Sequence, residues 1–202
     1  QILCEKIGAK LIISPINIKG EMIMSEFKSL ISNKTKLISI SHVSNTLGTI
    51  NPVEDIVEIA KENNCKILID AAQSIPHFKV DVSKIDCDFL VFSGHKIFAP
   101  TGVGILYVKN DRYQEMQPYQ GGGDMIKDVS FEKTTYNAPP HKFEAGTPNI
   151  SGVIGLGAAI DYVNKIGIDK ISNLEDELLH YATDKITSLN KIKIFGNAQN
   201  LS

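Results

Sequence analysis

Cysteine is scarce in this chain. Its 202 residues hold three, Cys4, Cys65 and Cys87, far apart and odd in number. No disulfide framework and no C-x-x-C metal spacing can be drawn from them, and a reducing cytosol is their natural setting. An excess of one charge is missing too. The formal net charge is -2, which supplies no basic field for nucleic acid or for an anionic membrane. No apolar run approaches the roughly 20 residues that cross a bilayer. The opening Gln1-Ile2-Leu3-Cys4-Glu5-Lys6 has no initiator methionine and no charged stretch leading into an apolar one, as a secretory signal would. The expectation is a fragment of a longer cytoplasmic protein, near the upper size of one ordinary domain. Hydrophobic residues reach 43%, enough to build a core.

Up to about residue 108, short β-rich runs alternate with amphipathic segments. Residues 10–13, 36–41, 66–70, 88–92 and 102–108 read as strands. Ser25 is expected to cap a short helix through Leu30. Pro52 is expected to open another that sets Val53, Ile56, Val57 and Ala60 on one face. Such alternation argues an α/β fold with a largely parallel sheet. One connection departs from that rule. About ten residues separate Phe92 from the next strand, fewer than a parallel crossover needs, so that strand is expected to run antiparallel. Residues 118–150, with Gly121-Gly122-Gly123, Pro139-Pro140 and Pro148, form a long loop-rich stretch of the kind kept for a function. Residues 150–165 return to helix, with Ile154, Ala158 and Val163 on one side, and 169–189 to a longer helix. A strand at 191–195 is expected to start a second domain. The division is 1–165 for a large domain and 166–202 for a connecting helix and the beginning of a smaller one.

Three polar clusters fall at the C-terminal ends of successive strands, the edge where open α/β sheets bind ligands. They are His42-Val43-Ser44-Asn45, Asp70-Ala71-Ala72-Gln73 and Ser93-Gly94-His95-Lys96. A lysine amine attacks an aldehyde only when unprotonated, and burial at a strand end favours that form. A carboxylate facing a pyridine nitrogen keeps such a ring protonated, so that it works as an electron sink. Lys96 and Asp70 are the candidates for these two roles. Gln73 could donate to a ring hydroxyl, Ser93 and His95 could bind phosphate, and Asn45 could touch ring or substrate. Each residue alone also has an ordinary reading: Lys96 as a solvated lysine, Asp70 as a turn residue, His95 as a structural histidine. His42, His77 and His95 have no ligand spacing for a metal, and the spacing of a P-loop is missing. The case rests on the three strand ends together.

Those segments resemble the class V aminotransferase family of pyridoxal 5'-phosphate enzymes. The resemblance extends through His42-Val43-Ser44-Asn45-Thr46-Leu47-Gly48, Asp88-Phe89-Leu90-Val91-Phe92-Ser93-Gly94-His95-Lys96 and Gly102-Val103-Gly104-Ile105-Leu106-Tyr107. Within the family, Gly121-Gly122-Gly123-Asp124-Met125-Ile126 and Phe143-Glu144-Ala145-Gly146-Thr147-Pro148-Asn149 look like the SUF-type cysteine desulfurases. The resemblance implies a fold type I transferase, with a mostly parallel mixed sheet flanked by helices and the start of a smaller C-terminal α+β domain. It implies a homodimer that takes sulfur from L-cysteine, leaves L-alanine and hands the sulfur to an acceptor protein for iron-sulfur cluster assembly. Lys96 would be the Schiff-base lysine. Asp70 would pair with the pyridine nitrogen and Gln73 with the ring oxygen. Ser93 and His95 would hold the phosphate, Asn45 would contact cofactor or substrate, and Thr147 would reach the phosphate of the partner subunit. The family's persulfide cysteine, carboxylate-binding arginine and ring-stacking histidine match no residue of this chain, so the chain by itself is expected to be an incomplete enzyme. Selenocysteine lyase, another class V transaminase or lyase, and a non-catalytic scaffold of the same fold remain the alternatives.

Overall fold

The computed structural model describes residues 1–189 and 191–196. Its centre is built on a helix that its local sequence favours. Helix α3, Val53–Glu62, follows Pro52 at the N-cap, with Glu54 and Asp55 in the first turn and Lys61 in the last, each set favourably against the helix dipole. Val53, Ile56, Val57 and Ala60 recur at helical spacing and are all buried. They pack with Ile38 and Ile40 of β1, Leu37–Ser41, with Ile67 and Ile69 of β2, Lys66–Asp70, and with Leu90 of β3, Phe89–Ser93. Full burial of each large aliphatic side chain contributes roughly 1.5–3 kcal/mol. This packing fixes which face of each strand looks inward.

The sheet order is β1-β2-β3-β4, with β4 spanning Gly104–Val108. The first two pairings are parallel, and β3 with β4 is antiparallel. The short link between β3 and β4 thus has the consequence expected of it. A single 3-10 turn, Gly94–Ile97, opens that link. Helix α5, Ile150–Ile166, packs Leu156, Ala159 and Val163 against Ile97 and Ala99 in a second core. Helix α6, Ile168–Thr187, follows after Gly167 at φ 94° and adds Ile168 and Ile171 to that core. The remaining helices are short: α1, Ile2–Ile7, α2, Met24–Leu30, and α4, Val82–Ile85.

Several expectations need correcting. Residues 10–13 form no strand: they lie outside every ladder, and Leu11, Ile12 and Ile13 are exposed. An apolar run becomes a strand only where a neighbour accepts its hydrogen bonds. Ser25 does not cap α2; it lies inside the first turn, and Ile23 holds the N-cap with no side-chain bond. On α5 the inward face is Gly152, Leu156, Ala159 and Val163, whereas Ile154 is exposed. Residues 191–196 are irregular, without a ladder. The loop-rich stretch contains an unforeseen hairpin: β5, Ile126–Val129, with β6, Thr134–Tyr136. Its base is held by the fully buried Met125, whose carbonyl accepts the Asn137 N–H at 2.8 Å.

Candidate active site

The strand register brings the three polar clusters to one edge. Ser41 pairs with Asp70, and Asp70 with Val91, so β3 runs two residues further, to Ser93. Partners in a parallel ladder share a face, as do residues two apart on a strand. Ser41, Asp70 and Ser93 therefore point the same way, opposite to the residues that pack with α3. At about 4.8 Å per strand the edge from β1 to β3 spans about 10 Å. The first residue of β4, Gly104, pairs with Ser93 and brings the loop before it to the same edge.

Each cluster sits on a turn that its own sequence builds. After β1, the Ser44 hydroxyl oxygen accepts the N–H groups of Thr46 and Leu47 at 3.3 and 3.2 Å. Gly48, at φ 70°, returns the chain. This ST-type turn leaves Asn45 exposed at its tip. The Asn51 amide donates to the Ser41 carbonyl at 2.8 Å and ties the base of the loop to the strand end. After β2, one carboxylate oxygen of Asp70 accepts the Ala72 N–H at 2.9 Å. Residues 71–78 then wind through successive turns, with Ser74 and Ile75 donating to Ala71, and His77 and Phe78 to Ser74. Gln73 is half-buried on that segment.

After β3 the chain tightens at once into its 3-10 turn. The Gly94 N–H donates to the Val103 carbonyl at 2.9 Å, and the Gly94 carbonyl accepts from Ala99 at 3.1 Å. A Cβ on Gly94 would lie 2.8 Å from Val103 Cγ1, so this close approach requires glycine. Ile97, buried against α5, anchors the turn beside the half-buried Lys96; Ser93 is half-buried and His95 exposed. Phe98 closes the turn in the left-handed region at φ 66°, a conformation uncommon for a bulky residue.

Thr147 comes from a distant stretch of sequence. Its position is set by Asn149, which caps α5 by accepting the Gly152 N–H at 3.0 Å and donates from its amide to the Gly102 carbonyl at 3.1 Å. Thr147 therefore stands two residues from a contact with the loop that enters β4. Asn149 and Asn51 carried no role in the sequence reading. The signal for Asn149 was present, an asparagine directly before an apolar helical run.

One buried group belongs to this edge without facing it. His42 continues β1, its N–H donating to the Asp70 carbonyl at 2.8 Å. The side chain is 8% exposed and meets Phe78 edge-to-face at 5.2 Å. Burial pushes its pKa down, and its buried Nδ1 has no hydrogen-bond partner among the described residues. His42, His77 and His95 do not assemble as ligands; among the described residues no group of three or more His, Cys, Asp or Glu could hold a metal ion.

Charge is handled differently at the other end of the sheet. A cavity of about 310 Å³ there is lined by Lys61, Cys65, Lys66, Asp86, Lys109 and Arg112, among others. Asp86 receives Lys61 and Lys109 at 2.5 Å each, and these two ammonium groups hold its carboxyl down to about 2. Asp88 accepts the Ile67 N–H at 2.8 Å and Arg112 Nε at 2.6 Å, and Lys66 pairs with Glu115. These cations are matched by carboxylates. At the C-terminal edge, by contrast, the side chains of Lys96, Gln73, Ser93, His95 and Thr147 make no hydrogen bond or ion pair among the described residues.

An amine, a carboxylate, an amide, a hydroxyl and an imidazole, all but the carboxylate uncommitted, line about 10 Å of sheet edge. Such a donor set suits a phosphorylated pyridine aldehyde. The chain belongs to the class-V aminotransferase family, which it matches over residues 1–202. Members of that family depend on pyridoxal phosphate, and the fold agrees with fold type I. The chain is 48% identical over 202 residues to cysteine desulfurases of Salmonella dublin and Salmonella typhimurium, covering 100% of this chain and 50% of each relative. The chain thus spans about half the length of the curated relatives it matches. The apo cysteine desulfurase of Thermococcus onnurineus superposes with a TM-score of 0.91 at 38% identity, covering 97% of this chain and 49% of that one. The cysteine desulfurase CsdA of Escherichia coli gives 0.89 at 33%, covering 93% and 47%. No helix among the described residues is long and apolar enough to cross a membrane.

Proposed function

We propose that this chain carries the cofactor-binding edge of a pyridoxal-phosphate-dependent cysteine desulfurase, which converts L-cysteine to L-alanine and passes the sulfur to an enzyme persulfide. The observation that carries the reading is the alignment of Asp70 and Ser93 on one face, with Lys96 three residues beyond Ser93 on a turn anchored by Ile97. Bound there, pyridoxal phosphate supplies an aldehyde carbon and a ring that stabilises negative charge at the substrate Cα.

The chain's own residues do the rest. Lys96 would hold the cofactor through its amine and, freed in the presence of substrate, would move the Cα proton. Asp70 has one carboxylate oxygen engaged with Ala72 and keeps the other for a ring N–H. Gln73 donates to the ring oxygen, and Ser93 and His95 meet the phosphate. Asn45 touches cofactor or substrate. Thr147 reaches the phosphate of the partner subunit, which makes the enzyme a homodimer. Residues 1–165 form the large cofactor domain, and 166–202 lead into a smaller one. Cys65 and Cys87 are not the sulfur carrier: both are buried, and burial pushes their thiols up, that of Cys87 to about 11. The outer sulfur of the persulfide passes to a thiol of an acceptor protein, which leaves the enzyme thiol free, for iron-sulfur cluster assembly in the cytoplasm.

The test is chemical. Borohydride reduction of the full-length protein with pyridoxal phosphate, followed by peptide mass mapping, is expected to place the adduct on Lys96. With dithiothreitol present to reduce the persulfide and release its outer sulfur as sulfide, L-cysteine is expected to give alanine and sulfide in equal amounts, and Lys96→Ala to slow turnover by at least about 100-fold. An unmodified Lys96 would refute the cofactor assignment. Turnover without alanine, or strong preference for another amino substrate, would refute the reaction.

A further inference from the structure

The segment that presents Gln73 is held from two sides. Residues 71–78 leave the sheet at Asp70 and end at His77 and Phe78. Phe78 packs edge-to-face on the buried His42, which continues β1. His77 turns the other way, its Nδ1 lying 2.8 Å from Glu175 Oε2 on α6. Between Gln73 and His77, Ile75 packs in the same apolar cluster as Ile168 and Ile171 of α6. Ile168, Ile171 and Glu175 are spaced three and four apart, so they lie along one stripe of that helix. The turn segment and α6 therefore border one apolar cluster, and the His77–Glu175 pair joins them one helical turn beyond it.

We propose that His77 is a positioning residue: through Glu175 it fixes segment 71–78 against α6 and so sets how Gln73, and with it Asp70, is presented at the sheet edge. This rests on the reading of that edge as the cofactor site. The backbone supports the transmission. His77 and Phe78 donate to Ser74, and Ser74 donates to Ala71, so a shift at His77 is carried back by a continuous chain of hydrogen bonds. The Ser74 side chain is fully buried and donates to the Ala71 carbonyl, which leaves the segment little room to absorb such a shift. His77 makes no direct contact with the edge residues among its recorded hydrogen bonds and ion pairs; its effect is through the segment.

The experiment compares His77→Phe, His77→Asn and Glu175→Leu with wild type in the full-length protein. Amide hydrogen exchange is read first, without cofactor. Both members of the pair are half-exposed, so loss of the tie is expected to speed exchange across residues 71–78 by about threefold to fivefold, with β3 unchanged. Glu175 lies on an exposed helix, so Glu175→Leu tests the tie without disturbing the turn itself. Cofactor is then added, and the visible circular dichroism of bound pyridoxal phosphate is expected to shift in His77→Phe and Glu175→Leu. His77→Asn places an amide donor at the Nδ1 position toward Glu175 and is expected to restore both readouts. Exchange unchanged at 71–78, exchange raised evenly over β2 and β3, or no rescue by asparagine would overturn the proposal. A wild-type protein that binds no pyridoxal phosphate would instead refute the functional reading, while the exchange data would still judge the tie.

Discussion

Replacing Gly94 by alanine adds one methyl group at the most crowded backbone position of the site. That methyl would lie 2.8 Å from Val103 Cγ1, 3.1 Å from the Val103 carbonyl oxygen and 3.4 Å from Ala99 Cβ. Relaxed carbon–carbon contacts begin near 3.5 Å, so the first contact is short by roughly 0.7 Å. Val103 cannot rotate away cheaply, because a β-branched side chain has few χ1 wells. Nor can its carbonyl retreat without stretching the 2.9 Å bond it accepts from Gly94. The backbone between Ser93 and Lys96 must therefore move. Overpacking of this kind costs about 1–3 kcal/mol, and a comparable loss in cofactor affinity corresponds to roughly fivefold to 150-fold. Urea unfolding and pyridoxal phosphate titration of the full-length protein measure the two effects. Gly157→Ala is the control. It lies exposed in α5 with nothing within 4 Å of an added Cβ, and is expected to stabilise by about 0.5–1 kcal/mol through helix propensity. A Gly94→Ala protein within about 0.5 kcal/mol of wild type, binding cofactor normally, would falsify the steric account of this turn.

Thiol labelling at pH 8 in the native protein is expected to modify Cys4 and to spare Cys65 and Cys87, because Cys4 is partly exposed while the other two are buried with raised pKa values. Rapid labelling of Cys87 would contradict its burial. Burial holds the folded pKa of His42 below the ordinary histidine value of about 6.5, so the unfolded chain binds its proton first. Stability is then expected to fall as pH drops below about 6.5. His42→Phe is expected to remove that part of the slope in pH-dependent urea titrations, and an unchanged slope would show that the imidazole is not the titrating group. Asp86 has linkage of the same sign in a more acid range. Its depressed pKa stabilises the fold fully above about pH 4, and the contribution is lost as pH falls toward 2. Because the pair is half-exposed, Asp86→Asn is expected to cost no more than about 1 kcal/mol at neutral pH, and less in high salt. A larger loss that persists in salt would mean the cluster holds the sheet end in another way.

Local chemistry was the part legible from sequence. The strands at 36–41, 66–70 and 88–92 show because apolar and β-branched runs encode their own conformation, and α3 shows because its apolar residues keep helical spacing. The antiparallel β4 follows from chain length alone, since residues 94–103 cannot carry a parallel crossover. Candidate site residues could be named for the same reason: in a parallel sheet every strand ends at one edge, so polar residues that follow successive strands must meet there. What the sequence could not supply was set by contacts distant along the chain. Residues 10–13 look like a strand but find no ladder, and α5 buries Leu156 rather than Ile154 because the position of Ile97 decides its inward face. The inward Gly94, the cap from Asn149 to Gly102, and the bracket of His42, Phe78, His77 and Glu175 join residues from about 10 to 100 positions apart. No periodicity records such pairs, because each exists only once the sheet and α6 have packed. Lys96 was readable as a residue; the anchored turn that aims it was decided by the tertiary structure.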